Sequence, residues 1–301
     1  MRQMQFLNRL LLFIIGLLLI IVLAFWGFKE NFPGKSIADA LQLRLKTQTG
    51  IPVEIEALEL GWLKVSTPEI ALRTPEWLVA TPDVRLLILE NVETAFLPLI
   101  TSGKAKILGQ LHGGTIEAST DLQSRNILDI SLAGVKIEQV PLIAALPYAF
   151  VSGSLSLSSQ IENINALQNQ QARFPEGKLK GRLSNAQIRI AGGAALLNLQ
   201  MPELNFSEVL FDLQFGPLIA VRKIQIKGSM EGTIEGTIRL NEKRPQMSLI
   251  DLNIELTPSP DLKVEISSFS TMLRSFQCGE TIKINLNGSL NRLNYPTRNK
   301  C

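Results

Sequence analysis

The stretch Met230-Glu231-Gly232-Thr233-Ile234-Glu235-Gly236-Thr237-Ile238-Arg239-Leu240 decides the fold. Successive side chains of an extended chain point to opposite faces, so Met230, Gly232, Ile234, Gly236, Ile238 and Leu240 share one side. Glu231, Thr233, Glu235, Thr237 and Arg239 share the other. An alternation sustained over eleven residues reads as a strand with one apolar and one polar face.

Working outward, the same period runs through Lys178 to Ser184, Ile250 to Leu256, Leu262 to Ile266 and Ile282 to Leu290. In the last of these Lys283, Asn285, Asn287 and Ser289 supply the polar side. Upstream, Val53 and Ile55 alternate against Glu54 and Glu56. Amphipathic crossover helices of the usual length do not separate these runs, so each strand should be antiparallel to its neighbour. The spacing predicts a mainly β chain.

Four elements interrupt the pattern. Ser36-Ile37-Ala38-Asp39 resembles a capping box opening a short helix toward Lys46, which Gly50-Ile51-Pro52 ends. Val140 to Phe150 reads as a short helix or a loop over a sheet end, kept short by Pro141 and Pro147. Asn163 to Gly177 is a long polar loop, read as an excursion within one sheet rather than a domain boundary. Glycines recur as Gly-x-apolar-x-Gly at 109–113, 177–181, 228–232 and 232–236. These glycines replace side chains on the apolar face, which suits either a coiled trough that admits a ligand or neighbouring backbone, or simply bulges and strong twist.

Leu10 to Phe28 reads LLLFIIGLLLIIVLAFWGF, nineteen residues without a charge. At about 1.5 Å per residue this run nearly matches a hydrocarbon core of about 30 Å. A cleaved signal peptide has a shorter apolar region and small residues at its exit, whereas Phe25, Trp26 and Phe28 suit an interfacial aromatic belt. Arg2 and Arg9 precede the run and Lys29, Lys35, Arg44 and Lys46 follow it, so loop charge does not by itself favour either orientation. Long domains translocate largely regardless of charge. The expected organisation is a cytoplasmic N-terminus over 1–9, a transmembrane helix over 10–28 and a periplasmic β-rich domain over 29–301 of a bacterial inner-membrane protein.

The 301 residues are 46% hydrophobic and 19% charged, with a net charge of +3, which is enough apolar content for a core and argues against disorder. Basic residues are scattered, so no stripe with interleaved aromatics marks a nucleic-acid surface. Mean hydropathy is +0.18, and the Leu10 to Phe28 run supplies this positive balance, with no second uniformly apolar run after it. Two cysteines, Cys278 and Cys301, are compatible with one disulfide or with two free thiols.

Catalytic patterns are missing from the sequence. His112 is the only histidine, which excludes a histidine-rich metal site and any two-histidine mechanism, and it is read on the polar side of a Lys106 to His112 strand. There is no Gly-x-Ser-x-Gly elbow, no Gly-x-Gly-x-x-Gly, and no phosphate loop, since Gly103-Lys104 is followed by Ala105. Glu231 and Glu235 share a strand face, where paired acids are ordinarily solubilising. No catalytic, cofactor-binding or metal-binding residue is therefore assigned.

Leu97-Pro98-Leu99-Ile100-Thr101-Ser102-Gly103-Lys104, followed by a strand over Ile107 to Leu111 and then Gly113-Gly114-Thr115-Ile116, resembles a recurrent stretch of AsmA-like proteins. The ordering of a membrane helix, a short helix, this stretch, Gly-x-Ile-x-Gly strands and a closing Ile284-Asn285-Leu286-Asn287-Gly288-Ser289-Leu290 with Pro296 beyond it looks most like the type II secretion system protein N (GspN) family. That resemblance implies an elongated antiparallel sheet curled into a groove, carried by one transmembrane helix and a short helix. It further implies a non-enzymatic role in protein secretion, with no cofactor and with secretion-system proteins as partners. The alternative is an AsmA-like protein that binds or transfers phospholipid along an apolar β groove. Candidate groove residues are Ile107, Leu111, Leu179, Leu183, Ile234, Ile238, Leu240, Ile284 and Leu286. The edges of such an open sheet invite strand addition by a partner or by self-association.

Overall fold

In the computed structural model the described residues are 26–27, 29–49, 52–74, 85–95, 98, 101–121, 127–144, 149–163, 176–190, 202–241, 247–265, 276–289 and 292–294. The alternating stretches become strands, except the one that opens at Leu262. Met230–Arg239 forms β12, flanked in space by β11 (Leu218–Gly228) and β13 (Leu249–Pro258). Before them come β1 (Val53–Ile55), β2 (Glu59–Leu60), β3 (Lys64–Arg73), β4 (Arg85–Ala95), β5 (Lys104–Leu111), β6 (Gly114–Asp121), β7 (Ile127–Lys136), β8 (Ala149–Glu162), β9 (Glu176–Ile190) and β10 (Leu204–Phe215). After them come β14 (Gln277–Cys278), β15 (Thr281–Ser289) and β16 (Arg292–Asn294).

All sixteen strands belong to one sheet, and every pairing is antiparallel. From β3 to β13 each strand pairs with the next in sequence, a meander with no crossover. The sheet is curled and unclosed. At one edge β1 and β2 both pair with β3, and at the other β14 and β16 both pair with β15. Edge strands of two or three residues leave little template for unwanted pairing. Register shifts between β3 and β4, β4 and β5, β7 and β8, β8 and β9, β10 and β11, and β11 and β12 supply extra residues on one strand of each pair. Such bulges increase local twist and favour coiling of a long meander.

Helix α1 (Gly34–Thr49) buries Ala38 completely and donates a hydrogen bond from Gln42 Nε2 to the Ile55 carbonyl, 2.8 Å. It begins two residues before the expected capping box: the Pro33 carbonyl accepts from the Ile37 amide at 3.1 Å, so Pro33 rather than Ser36 is the cap. Between β7 and β8 lie a 3-10 turn (Ile137–Gln139) and α2 (Pro141–Ala144), with the latter packed against β4 and β8 as expected of a short element over the sheet.

Two strand expectations are corrected. Leu262, read as the start of a strand to Ile266, lies in helix α3 (Pro260–Glu265). Ser259 caps it, its Oγ accepting from the Leu262 amide at 3.3 Å, and Pro260 sits at the first helical position with its φ already set. A cap and a proline outweigh five residues of alternation. The strand expected to run to His112 ends at Leu111, and His112-Gly113 forms the two-residue turn into β6 with φ of 46° and 76°.

β8 and β9 pair along their length across the Asn163 to Gly177 excursion, so the same sheet continues on both sides of it. Cys278 is disulfide-bonded, and the chain has one other cysteine, Cys301. The Leu10 to Phe28 run lies outside the described residues except for Trp26 and Gly27, which are helical and exposed. No helix among the described residues is long and apolar enough to cross a membrane.

Candidate functional site: one apolar face

Residues paired directly across antiparallel strands share a face. A single row can therefore be followed from Ile284 on β15 to Ile254, Ile234, Ile224, Phe211, Gly181, Leu157, Leu132, Ile116 and Gly109 on β5. Each member is apolar or glycine. At about 4.8 Å per strand the row extends roughly 40 Å along the curled surface. A second row, Leu286, Leu252, Gly236, Val221, Leu213, Leu179, Ser159, Ile130, Ala118 and Ile107, parallels it with one hydroxyl in ten positions.

Register places eight of the nine candidate groove residues on this face. Ile234 and Ile284 stand in the first row and Ile107, Leu179 and Leu286 in the second. Leu183 belongs to a third row with Val209 and Ile226, Ile238 to a fourth with Ile250, and Leu111 faces the same way as Gly109 on β5. Leu240 lies just past the end of β12, where its amide donates to the Pro217 carbonyl at 3.2 Å.

Burial along the rows is partial. Ile234, Ile254, Ile284, Phe211 and Leu213 are half-buried, Ile107 is exposed and Leu111 is buried. In a sandwich these inward positions would be closed by a second sheet. Here every strand among the described residues belongs to the one sheet.

Two glycines on this face lie against aromatic rings of the neighbouring strand. Phe211 occupies the space a side chain at Gly181 would take, while at Gly177 the Gln160 carbonyl stands nearest with the Phe215 ring beside it. Gly236, with φ of 144°, is approached instead by backbone of β13 at Asp251 and Leu252. The glycine pattern thus admits neighbouring rings and neighbouring backbone.

The opposite face is held by cross-strand ion pairs. Glu208 accepts from Lys227 at 3.0 Å and Arg182 at 2.9 Å, Glu255 from Lys283 at 2.9 Å, Glu117 from Lys106 at 2.8 Å, and Lys180 lies 3.4 Å from Asp212. The hydrogen bond from Lys227 holds the Glu208 carboxyl below the usual carboxylate range, against some loss of hydration. Glu231 and Glu235 face Thr257 and Asn253 across β13 and are exposed. Among the described residues no three His, Cys, Asp or Glu side chains converge in a geometry suited to a metal ion.

Sequence reading missed the β10 and β11 contribution, including Phe211, Leu213, Ile224 and Ile226. A register shift between Phe206 and Glu208 puts Glu208, Leu210 and Asp212 on one side and Val209, Phe211 and Leu213 on the other, out of phase with the start of the strand. On β11 a second shift between Val221 and Ile224 does the same. Alternation would have been found by reading each strand in two halves.

Compared with family models, curated proteins and solved structures, the chain matches none of them.

Proposed function

We propose that this chain is a non-enzymatic component of a type II protein secretion system, anchored in the bacterial inner membrane by Leu10 to Phe28 with its sheet in the periplasm. The observation that carries most weight is the continuous apolar face on a single curled meander, a surface for holding or guiding something rather than for turnover. Gly103-Lys104 leads into β5 and Gly113-Gly114-Thr115 into β6, and these residues are part of the stretch on which the resemblance to the GspN family rests. A disulfide-bonded Cys278 suits an oxidising compartment. Deletion of the chain should block secretion of folded proteins across the outer membrane, and native purification should recover secretion-system proteins. Intact secretion together with recovery of none of them sinks the proposal.

A second reading, carriage of phospholipid acyl chains, is favoured by the half-burial of the Ile234, Ile254 and Ile284 row. A photoreactive phenylalanine analogue in place of Ile234 or Leu179 in the full chain should capture phospholipid in membranes, while one in place of Thr233 or Lys180 on the polar face should not. Equal labelling from both faces, or from neither, removes it.

A further inference from the structure

The two rims of the sheet differ in what they expose. At the rim where β3, β5, β7, β11 and β13 begin, Trp62 and Leu63 in the turn before β3 are 57% and 59% exposed. Ile127 opens β7, Leu218 opens β11, and Met247 and Leu249 bracket the start of β13, all of them exposed. Leu218, Arg239 and Leu249 are direct neighbours across β11, β12 and β13 on the polar side of the sheet, so Leu218 and Leu249 are not part of the apolar face. At the opposite rim the described exposed large apolar side chains are Phe150, Val264 and, on α1 beside Val53 and Arg73, Leu43.

The direction of α1 ties the first rim to the N-terminal run. Gly34 abuts the backbone of Leu58, just before β2 and the Trp62 turn, whereas Gln42 one helical stretch later reaches Ile55. Lys46 shares a surface cleft with Val53, which pairs with Leu72 toward the opposite rim. The chain therefore reaches the sheet from the side of the first rim, through exposed Trp26 and the nineteen uncharged residues that end at Phe28.

We propose that the first rim is a membrane-contact surface, resting at the headgroup level of the bilayer that Leu10 to Phe28 crosses, with Trp62 and Leu63 as its principal anchor and Leu218 and Leu249 as a second. The inference rests on the membrane-anchored reading above and adds to it the posture of the sheet. Exposed tryptophan and leucine on tight turns are costly in water and favourable at a bilayer interface, where an amphipathic ring spans the polar and apolar layers. Clustering at one rim is what a surface for lipid requires, whereas singly scattered apolar residues would need no explanation. The strands then run away from the membrane, and the apolar face opens onto it at that rim.

The test reconstitutes the full chain in phosphatidylcholine and phosphatidylglycerol vesicles, with and without lipid brominated on its acyl chains. A Trp26→Phe, Trp77→Phe variant leaves Trp62 as the sole indole, and a Trp62→Phe, Trp77→Phe variant leaves Trp26. Circular dichroism verifies the β fold of each. Emission from Trp62 should fall as far as that from Trp26 in brominated vesicles, and both should be blue-shifted. A Leu218→Trp probe, placed in a chain whose three tryptophans are phenylalanine, should also be quenched, while a Phe150→Trp probe in that background should keep its emission. Unquenched emission from Trp62 and from the Leu218→Trp probe beside a quenched Trp26 overturns the proposal and leaves that rim to a protein partner or a second copy. Quenching of the Phe150→Trp probe also overturns it, since the sheet would then lie flat on the bilayer. If Trp26 itself is not quenched and the protein does not float with the vesicles, the anchor reading has failed and takes the rim with it.

Discussion

The ring of Phe211 on β10 fills the space above Gly181 on β9, its direct partner across the pair. A glycine that would weaken a strand is thereby covered by the largest apolar side chain in its row. Gly181→Leu should displace that ring and cost about 1–3 kcal/mol. Phe211→Ala should cost roughly 2 kcal/mol by exposing the glycine and its neighbours. The double variant should cost less than the sum, read from urea midpoints of a double-mutant cycle. Strict additivity means the ring does not depend on the glycine.

Gly236 and Gly134 both have positive φ but should respond differently to a side chain. At Gly236, φ is 144° and a Cβ would run into the backbone of Asp251 and Leu252. Gly236→Val should destabilise by about 2 kcal/mol or more, with loss of protection for amides of β12 and β13 in hydrogen exchange. Gly134 has φ of 70° with nothing within 4 Å of a Cβ, so Gly134→Asn should cost under about 1 kcal/mol.

Glu208 links stability to acid. Its carboxyl titrates below the ordinary 4.5 because Lys227 donates to it and Lys227 and Arg182 lie close. A depressed folded pKa means the unfolded chain binds more protons in that range, so this contribution is complete above 4.5 and is lost as pH falls through the folded value. Glu208→Gln should lower the denaturation midpoint at pH 6 and flatten its decline below pH 4.5, measured as urea midpoint against pH. An unchanged slope would show that the pair is silent.

His112 works in the next pH interval. Burial lowers its pKa from 6.5, opposed by the charge of Glu90, and its Nε2 is buried without a hydrogen-bond partner. Between the lowered value and 6.5 the unfolded chain carries more protons, so stability should rise with pH across that interval and level off above it. Asparagine accepts the φ of 46° and forms the favoured Asn-Gly turn. His112→Asn should keep stability within about 1 kcal/mol at pH 7.5 and remove the slope below 6.5, as followed by thermal melts from pH 5 to 8.

Much of the fold could be read locally because a pleated strand writes its period directly into the sequence. The eleven residues from Met230 carry six apolar or glycine positions on one side, and no neighbouring strand is needed to see it. The same holds for β13 and β15, and for the antiparallel order, since short connections permit little else. Local reading failed where one residue changed the phase or the backbone. The bulges on β10 and β11 hid Phe211 and Ile224, and Ser259 with Pro260 turned an alternating stretch into α3.

What tertiary structure alone decided is the continuity of the face. Alternation says that Ile234 and Ile284 each sit on an apolar side, but only the registers of β12 on β13 and β13 on β15 put them in one row through Ile254. Register is set by pairing between residues far apart in the chain, and a slip of one position would turn a whole strand over. Likewise, Trp62 and Leu249 lie far apart in the chain, and only the path of the meander brings their two turns to one rim.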